Sequence, residues 1–259
     1  MVFHLDPFLS RSLGASMATP VEDLARDVDQ RLLPARLVVG YEVFLGGRFR
    51  REQDRYSDLA ATGQKPKVLL IGCCDSRVSP EVIFDADPGE IFVIRNVANL
   101  IPPYTPNDDL HGTSAALEFA VRNLKVEHIV IMGHASCGGV RAFVDDAADP
   151  SKPAPPPGDF IGHWMSLIKP AAEQIGAPLP TEPLADYAER LAKASILHTL
   201  QNLRTFPYVQ EREAKGELAL HGAYFGVADG RLFALDEAKR EFVPIAELAH
   251  AQALAAPRF

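Results

Sequence analysis

The sequence predicts an α/β protein: a mostly parallel central β-sheet flanked by helices. Three observations carry this. First, Val68-Leu69-Leu70-Ile71-Gly72, Ile91-Phe92-Val93-Ile94 and His128-Ile129-Val130-Ile131-Met132-Gly133 are short, continuous apolar runs, as expected of strands buried on both faces. Second, Ala116, Leu117, Ala120, Val121 and Leu124 recur at helical spacing between the second and third runs, behind Thr113 and Ser114 as cap candidates; strand, helix and strand then read as a parallel βαβ unit. Third, Leu218-Ala219-Leu220-His221-Gly222-Ala223-Tyr224-Phe225 and Leu232-Phe233-Ala234-Leu235 add two strands around a turn at Asp229-Gly230.

The remaining elements follow in order. Leu24, Val28, Leu32, Leu37, Val38 and Phe44 give residues 21–44 a roughly helical pattern, broken at Pro34 and expected to end at Gly46-Gly47. Residues 1–18 lack the continuous apolar core of a secretory signal and read as a flexible extension, with Met17 an alternative start. Residues 149–158 (DPSKPAPPPG) are too rich in proline to pair inside a sheet and read as an exposed insertion. Residues 245–255 are expected to form a last helix. Strand patterns lie on both sides of the insertion, so residues 19–259 are read as one domain.

With 259 residues, 47% of them hydrophobic, the chain can bury a substantial core. A net charge of −8 argues against a nucleic-acid backbone as partner. No apolar run approaches the roughly 20 residues of a membrane span, so no membrane partner is expected. Three cysteines, two of them adjacent, do not form a disulfide framework and fit a reducing compartment, the cytoplasm.

Two of the expected strands end in glycine followed by metal-ligand chemistry: Gly72-Cys73 and Gly133-His134-Ala135-Ser136-Cys137. In a parallel sheet such ends gather at the carboxyl edge, where open α/β sheets bind ligands. Cys73, His134 and Cys137 would supply three zinc ligands and leave a fourth position open, the pattern of a catalytic rather than a closed structural site. Adjacent residues in an extended segment face opposite ways, so either Cys73 or Cys74 faces the metal, and spacing alone does not choose. Asp75-Ser76-Arg77 follows at once. Asp75 would orient a metal-bound hydroxide while Arg77 holds it ionised through a fork-shaped pair; alternatively Asp75 swings onto the metal as a fourth ligand and closes the site. Gly138-Gly139 opens a short helical pattern whose free backbone N–H groups suit a small anion. The other histidines have no comparable spacing, and no Cys-x-x-Cys supports a redox reading.

Cys73-Cys74-Asp75-Ser76-Arg77-Val78 and Gly133-His134-Ala135-Ser136-Cys137-Gly138-Gly139 resemble the two motifs of the β-class carbonic anhydrases, Cys-x-Asp-Ser-Arg and His-x-x-Cys. The resemblance extends through Arg95-Asn96-Val97-Ala98-Asn99 and chooses Cys73 as the ligand. It implies one Zn2+ per chain and reversible hydration of CO2 to bicarbonate by attack of zinc-bound hydroxide, with Asp75 and Arg77 as the orienting dyad. Gln64, Phe92 and Phe119 match positions that wall the substrate pocket in plant-type members, with the Gly138 N–H nearby; Phe119 departs from the Tyr those members carry. A subgroup that closes its zinc with the aspartate has Trp where this chain has Leu70, so an open zinc is expected here. The resemblance also implies a homodimer or homotetramer, with N-terminal helices packing on a partner subunit. Two rival functions share the constellation: hydrolysis of CS2 or COS on the same zinc, and a zinc-holding regulatory module without turnover. The intact Asp75–Arg77 pair counts against the second.

Overall fold

The structure, a computed structural model, describes residues 32–245 apart from 108, 150, 152–155 and 157. The expected extension over 1–18, the helical pattern over 21–31 and the last helix over 246–255 lie outside the described residues. The chain divides into two compact units, Met1–Ala61 and Thr62–Phe259.

In the first unit, α1 (Ala35–Phe44) does not stop at the glycine pair. It passes through a wide turn, Leu45–Phe49, into α2 (Arg50–Thr62). Aromatic contacts bridge the glycines: Phe44 lies 5.8 Å from Phe49, and Tyr56 packs 6.0 and 5.2 Å from the two. Ring packing across the weak point, with an Arg48–Glu52 ion pair one turn apart at 2.9 Å, offsets the cost of two helical glycines. Leu37, Tyr41 and Val43 on α1 remain exposed.

The second unit holds a six-stranded sheet of β1 (Val68–Cys73), β2 (Ile91–Asn96), β3 (His128–His134), β4 (Ala219–Phe225), β5 (Leu232–Asp236) and β6 (Glu241–Pro244) in the order β2-β1-β3-β4-β5-β6. The first four run parallel and the last two antiparallel. The expected strands all form, but β2 and β3 are not neighbours as a simple βαβ unit would have them. They flank β1, with Val68 opposite both Ile91 and His128. All six residues of β1 are buried, whereas Phe92 and Val93 of β2 are half-buried, so the most apolar strand takes the interior and β2 the edge. Leu69, Ile71, Ile129 and Ile131 enter one core, and Leu70, Met132 and Ala223 a smaller one on the opposite face.

Between the strands lie α3 (Pro80–Ile83), α4 (Gly112–Glu118), α5 (Gly138–Ala148), α6 (Phe160–Met165), α7 (Lys169–Ile175), α8 (Leu184–Leu203) and α9 (Pro207–Ala214). The cap of α4 is His111, without a side-chain bond, and Thr113 and Ser114 fall inside its first turn rather than capping it. After a wide turn over Phe119–Leu124 the chain is stopped by Lys125 in the left-handed region. The proline-rich stretch falls between α5 and α6, and its described residues carry neither helix nor strand. β6 was not expected; Phe242 on it pairs with Leu235 just before the segment read as helical. Helix α8 buries Leu191, Ile196, Leu200 and Leu203 against the sheet. No helix among the described residues is long and apolar enough to cross a membrane.

Candidate metal centre

Because β1 and β3 are parallel neighbours, their carboxyl ends deliver Cys73 and His134 to one edge of the sheet. Cys137, three residues on, caps α5. The three ligand atoms lie within 4.8 Å of one another, with Cys73 Sγ 4.0 Å from Cys137 Sγ, and all three residues are buried. Cys74 is exposed, so the alternation of the strand turns Cys73 inward.

Each ligand is held by its neighbours. Cys73 Sγ accepts the Ala98 N–H at 3.4 Å, from a tight segment in which Ala98 and Asn99 both take left-handed backbone conformations. His134 Nδ1 donates to Ala135 O at 2.9 Å, which leaves Nε2 as the free nitrogen; it is buried and has no hydrogen-bond partner. A hydrogen bond from the Cys137 thiol holds the Cys73 thiol down to about 4 against the opposing effect of burial. Cys137, keeping that shared proton, is pushed far up, and burial adds to the shift. Burial disfavours a charged His134, but the adjacent Cys73 thiolate and the Ala135 carbonyl outweigh it and raise its pKa.

A buried thiolate, a second thiol and an unpartnered imidazole nitrogen form a donor set that a soft divalent cation satisfies. Zinc fits: three N/S ligands with one position left for water or substrate is the catalytic pattern.

Asp75 and Arg77 sit at the same edge. Arg77 Nε donates to Asp75 Oδ1 at 2.9 Å and Nη2 to Oδ2 at 2.7 Å, and the Arg77 N–H reaches Oδ1 at 3.0 Å. This fork holds the Asp75 carboxyl well below the usual carboxylate range. Asp75 Oδ2 is 3.9 Å from His134 Nε2. Both oxygens are therefore engaged by Arg77, and Oδ2 also faces the ligand group. Arg95 fixes the backbone beneath them, donating to Cys73 O at 2.9 Å and Asp75 O at 2.7 Å. Gly139 permits the closest approach of α5: a Cβ there would meet Val97 Cγ1 at 2.7 Å.

The expected pocket residues divide. Gly138 opens α5 beside Cys137, with space around it. Phe92 and Phe119 pack with tilted rings 6.0 Å apart, and Phe119 is exposed. Gln64 lies at the amino end of the strand whose carboxyl end carries Cys73. It is exposed and lies four residues before β1, whereas Cys73 ends that strand, whose own length is about 16 Å at the usual rise. A cavity of about 190 Å³ lined by Ser136, Cys137, Gly138, Arg141, Ala188 and Glu189 adjoins the ligand loop. Glu189 is a site neighbour that the sequence analysis missed. It stands 53 residues from its partner Ser136, and no spacing rule links the two.

The carbonic anhydrase family profile matches residues 68–232, a span that includes the three ligands and the dyad. Over 209 residues, 80% of this chain, the sequence is 34% identical to beta carbonic anhydrase 5, chloroplastic, of Arabidopsis thaliana. The chain belongs to the β-carbonic anhydrase family. Its match spans 63% of the length of that plant relative. Among solved structures, the β-carbonic anhydrase CcaA is 30% identical with a TM-score of 0.68, covering 82% of this chain and 92% of CcaA. A β-carbonic anhydrase described as tetrameric, from the filamentous ascomycete Sordaria macrospora, is 29% identical with a TM-score of 0.63, covering 78% of this chain and 95% of that one.

Proposed function

We propose that this β-carbonic anhydrase interconverts CO2 and bicarbonate on one zinc ion held by Cys73, His134 and Cys137. The single observation behind this reading is the buried, unpartnered His134 Nε2 beside two thiols, with a carboxylate–guanidinium fork at 3.9 Å. Zinc bound there supplies the Lewis acidity that makes water a nucleophile near neutral pH.

The chain's own residues do the rest. Asp75, fixed by Arg77 and by the backbone clamp from Arg95, accepts a hydrogen bond from the attacking water and so aims its lone pair at CO2. With both carboxylate oxygens engaged by Arg77, Asp75 serves as an orienting group rather than a fourth ligand. The Phe92–Phe119 pair offers an apolar wall to a small neutral molecule. Phe119 lacks a hydroxyl, so this wall gives no hydrogen bond. The N–H groups of Gly139 and Val140 point at the Cys137 sulfur, which leaves the Gly138 N–H at the start of α5 to accommodate an oxygen of bicarbonate.

Gln64 joins the pocket only if a second copy of the chain carries it there. The exposed Leu37, Tyr41 and Val43 of α1 give such a copy an apolar surface to cover. A homodimer or homotetramer is the assembly that this reading requires, and the tetrameric Sordaria relative supports it. The three unpaired cysteines support a reducing compartment, the cytoplasm.

Stopped-flow assays of CO2, COS and CS2 on the same zinc-loaded protein test the reaction. CO2 hydration well above the other two supports the proposal. Turnover of COS or CS2 alone would transfer the site to the sulfur substrates, and inertness toward all three would mean a regulatory module.

A further inference from the structure

We propose that Glu189 is a positioning residue of the metal centre: its carboxylate clamps the Ser136 peptide between the His134 and Cys137 ligands and, through Ser136, the outer arm of Arg77. This deepens the zinc and CO2 reading above and rests on it.

Residues 134–137 must turn sharply to aim two ligands at one point. The turn is made at Ser136, whose φ of 54° lies in the left-handed region that a side-chain-bearing residue seldom adopts. Such a conformation persists only where its surroundings fix it, so the partners of each peptide group matter. The Ala135 N–H donates to Phe225 O at 2.9 Å, and Ala135 O accepts from the His134 ring. Cys137 O accepts the Arg141 N–H at 3.0 Å, the first bond of α5. Ser136 O accepts from Arg77 Nη2 at 3.1 Å. The Ser136 N–H donates to Glu189 Oε1 at 2.6 Å. The sheet, the His134 ring, the helix and the dyad hold these groups, and a side chain from α8 holds the Ser136 N–H.

The clamp is itself anchored. Glu189 Oε2 accepts the hydroxyl of Tyr224, a buried residue of β4 opposite Gly133 in register. The carboxylate thus ties α8 to the strand pair that carries His134. Its neighbours Ala188, Leu191 and Ala192 are buried, so the helix cannot shift to compensate for its loss. Removing the carboxylate takes the partner from the N–H of a strained peptide and from a buried phenol, at a position that touches both the His134–Cys137 turn and the Arg77 fork. A residue that served stability alone would affect melting and leave metal retention and turnover as they are.

The test uses the full chain, zinc-loaded, as wild type, Glu189→Ala, Glu189→Gln and Tyr224→Phe. Zinc release to excess EDTA, the visible ligand-field spectrum of the cobalt-substituted protein, and kcat and KM for CO2 are measured together. Glu189→Ala is expected to release zinc about tenfold faster, to shift the cobalt bands, and to lower kcat about tenfold with KM changed less than about twofold. Glu189→Gln keeps an acceptor for the Ser136 N–H and is expected to return each readout to within about threefold of wild type. A folded Glu189→Ala with wild-type zinc release, cobalt spectrum and kcat overturns the proposal. If Glu189→Ala does not fold, Tyr224→Phe decides: faster zinc release supports the clamp and unchanged release overturns it. A wild-type protein inert toward CO2 removes the functional reading, while zinc release and the cobalt spectrum still judge the clamp.

Discussion

At the carboxyl edge of the sheet, Cys73, His134 and Cys137 are buried, and the peptide groups around them are tied to Arg77, Arg95, Glu189 and Phe225. At the amino edge of the same strands an open cavity of about 640 Å³ is lined by Lys65, Lys67, Lys125, His128 and Arg212 with Glu127 and Glu217. Both edges are rich in polar groups, but only the carboxyl edge buries a set of them, its three ligand side chains. Lys67 and Glu127 pair at half exposure, where solvent screens the attraction. Arg212 braces the backbone there, donating to Val121 O, Val126 O and Glu217 O. Burial, rather than the number of charged groups, makes a polar residue consequential: a partner lost in a dry site leaves its mate unsatisfied, and one lost in water is replaced by solvent.

Substitutions at the two edges sharpen this contrast. The largest effect is expected for His134→Ala, which removes the unpartnered nitrogen. Metal analysis should find zinc well below one per chain, and CO2 hydration should fall by more than about a hundredfold. Next is Arg77→Lys, which keeps the charge and loses the fork. Zinc should stay, and kcat should fall about tenfold to a hundredfold in a stopped-flow assay. Gly139→Ala should lower stability by about 1–3 kcal/mol in a denaturant titration, because its methyl meets Val97 Cγ1 at 2.7 Å. The smallest is Lys67→Ala at the amino edge, for which melting temperature and turnover should both match wild type. A clear loss of turnover there would break the comparison.

The sequence made the carboxyl edge legible because its ligands follow glycine at the ends of continuous apolar runs, and a parallel sheet gathers such ends. Strand order was less legible. The runs of β1, β2 and β3 look alike as sequence, and only the full burial of β1 against the half-buried Phe92 and Val93 explains why β1 lies between the others. Gly46-Gly47 read as a stop, whereas Phe44, Phe49 and Tyr56 pack across it, a contact visible only once the helix is built. Helix α8 went unread although Leu184, Ala188, Leu191, Ser195 and Thr199 repeat at helical spacing. That omission also hid Glu189. Its bonds to Ser136 and Tyr224 join residues 53 and 35 positions away, and no local pattern encodes them.

A zinc-dependent CO2 site at the buried carboxyl edge ties turnover to bound metal. The most direct measurement is stopped-flow CO2 hydration on protein of assayed metal content, repeated after chelation and again after zinc is returned. The expected rate is proportional to bound zinc, saturates at one ion per chain, is abolished by chelation and is restored by zinc. Hydration by the metal-free protein, or zinc bound at one per chain without hydration, would contradict it.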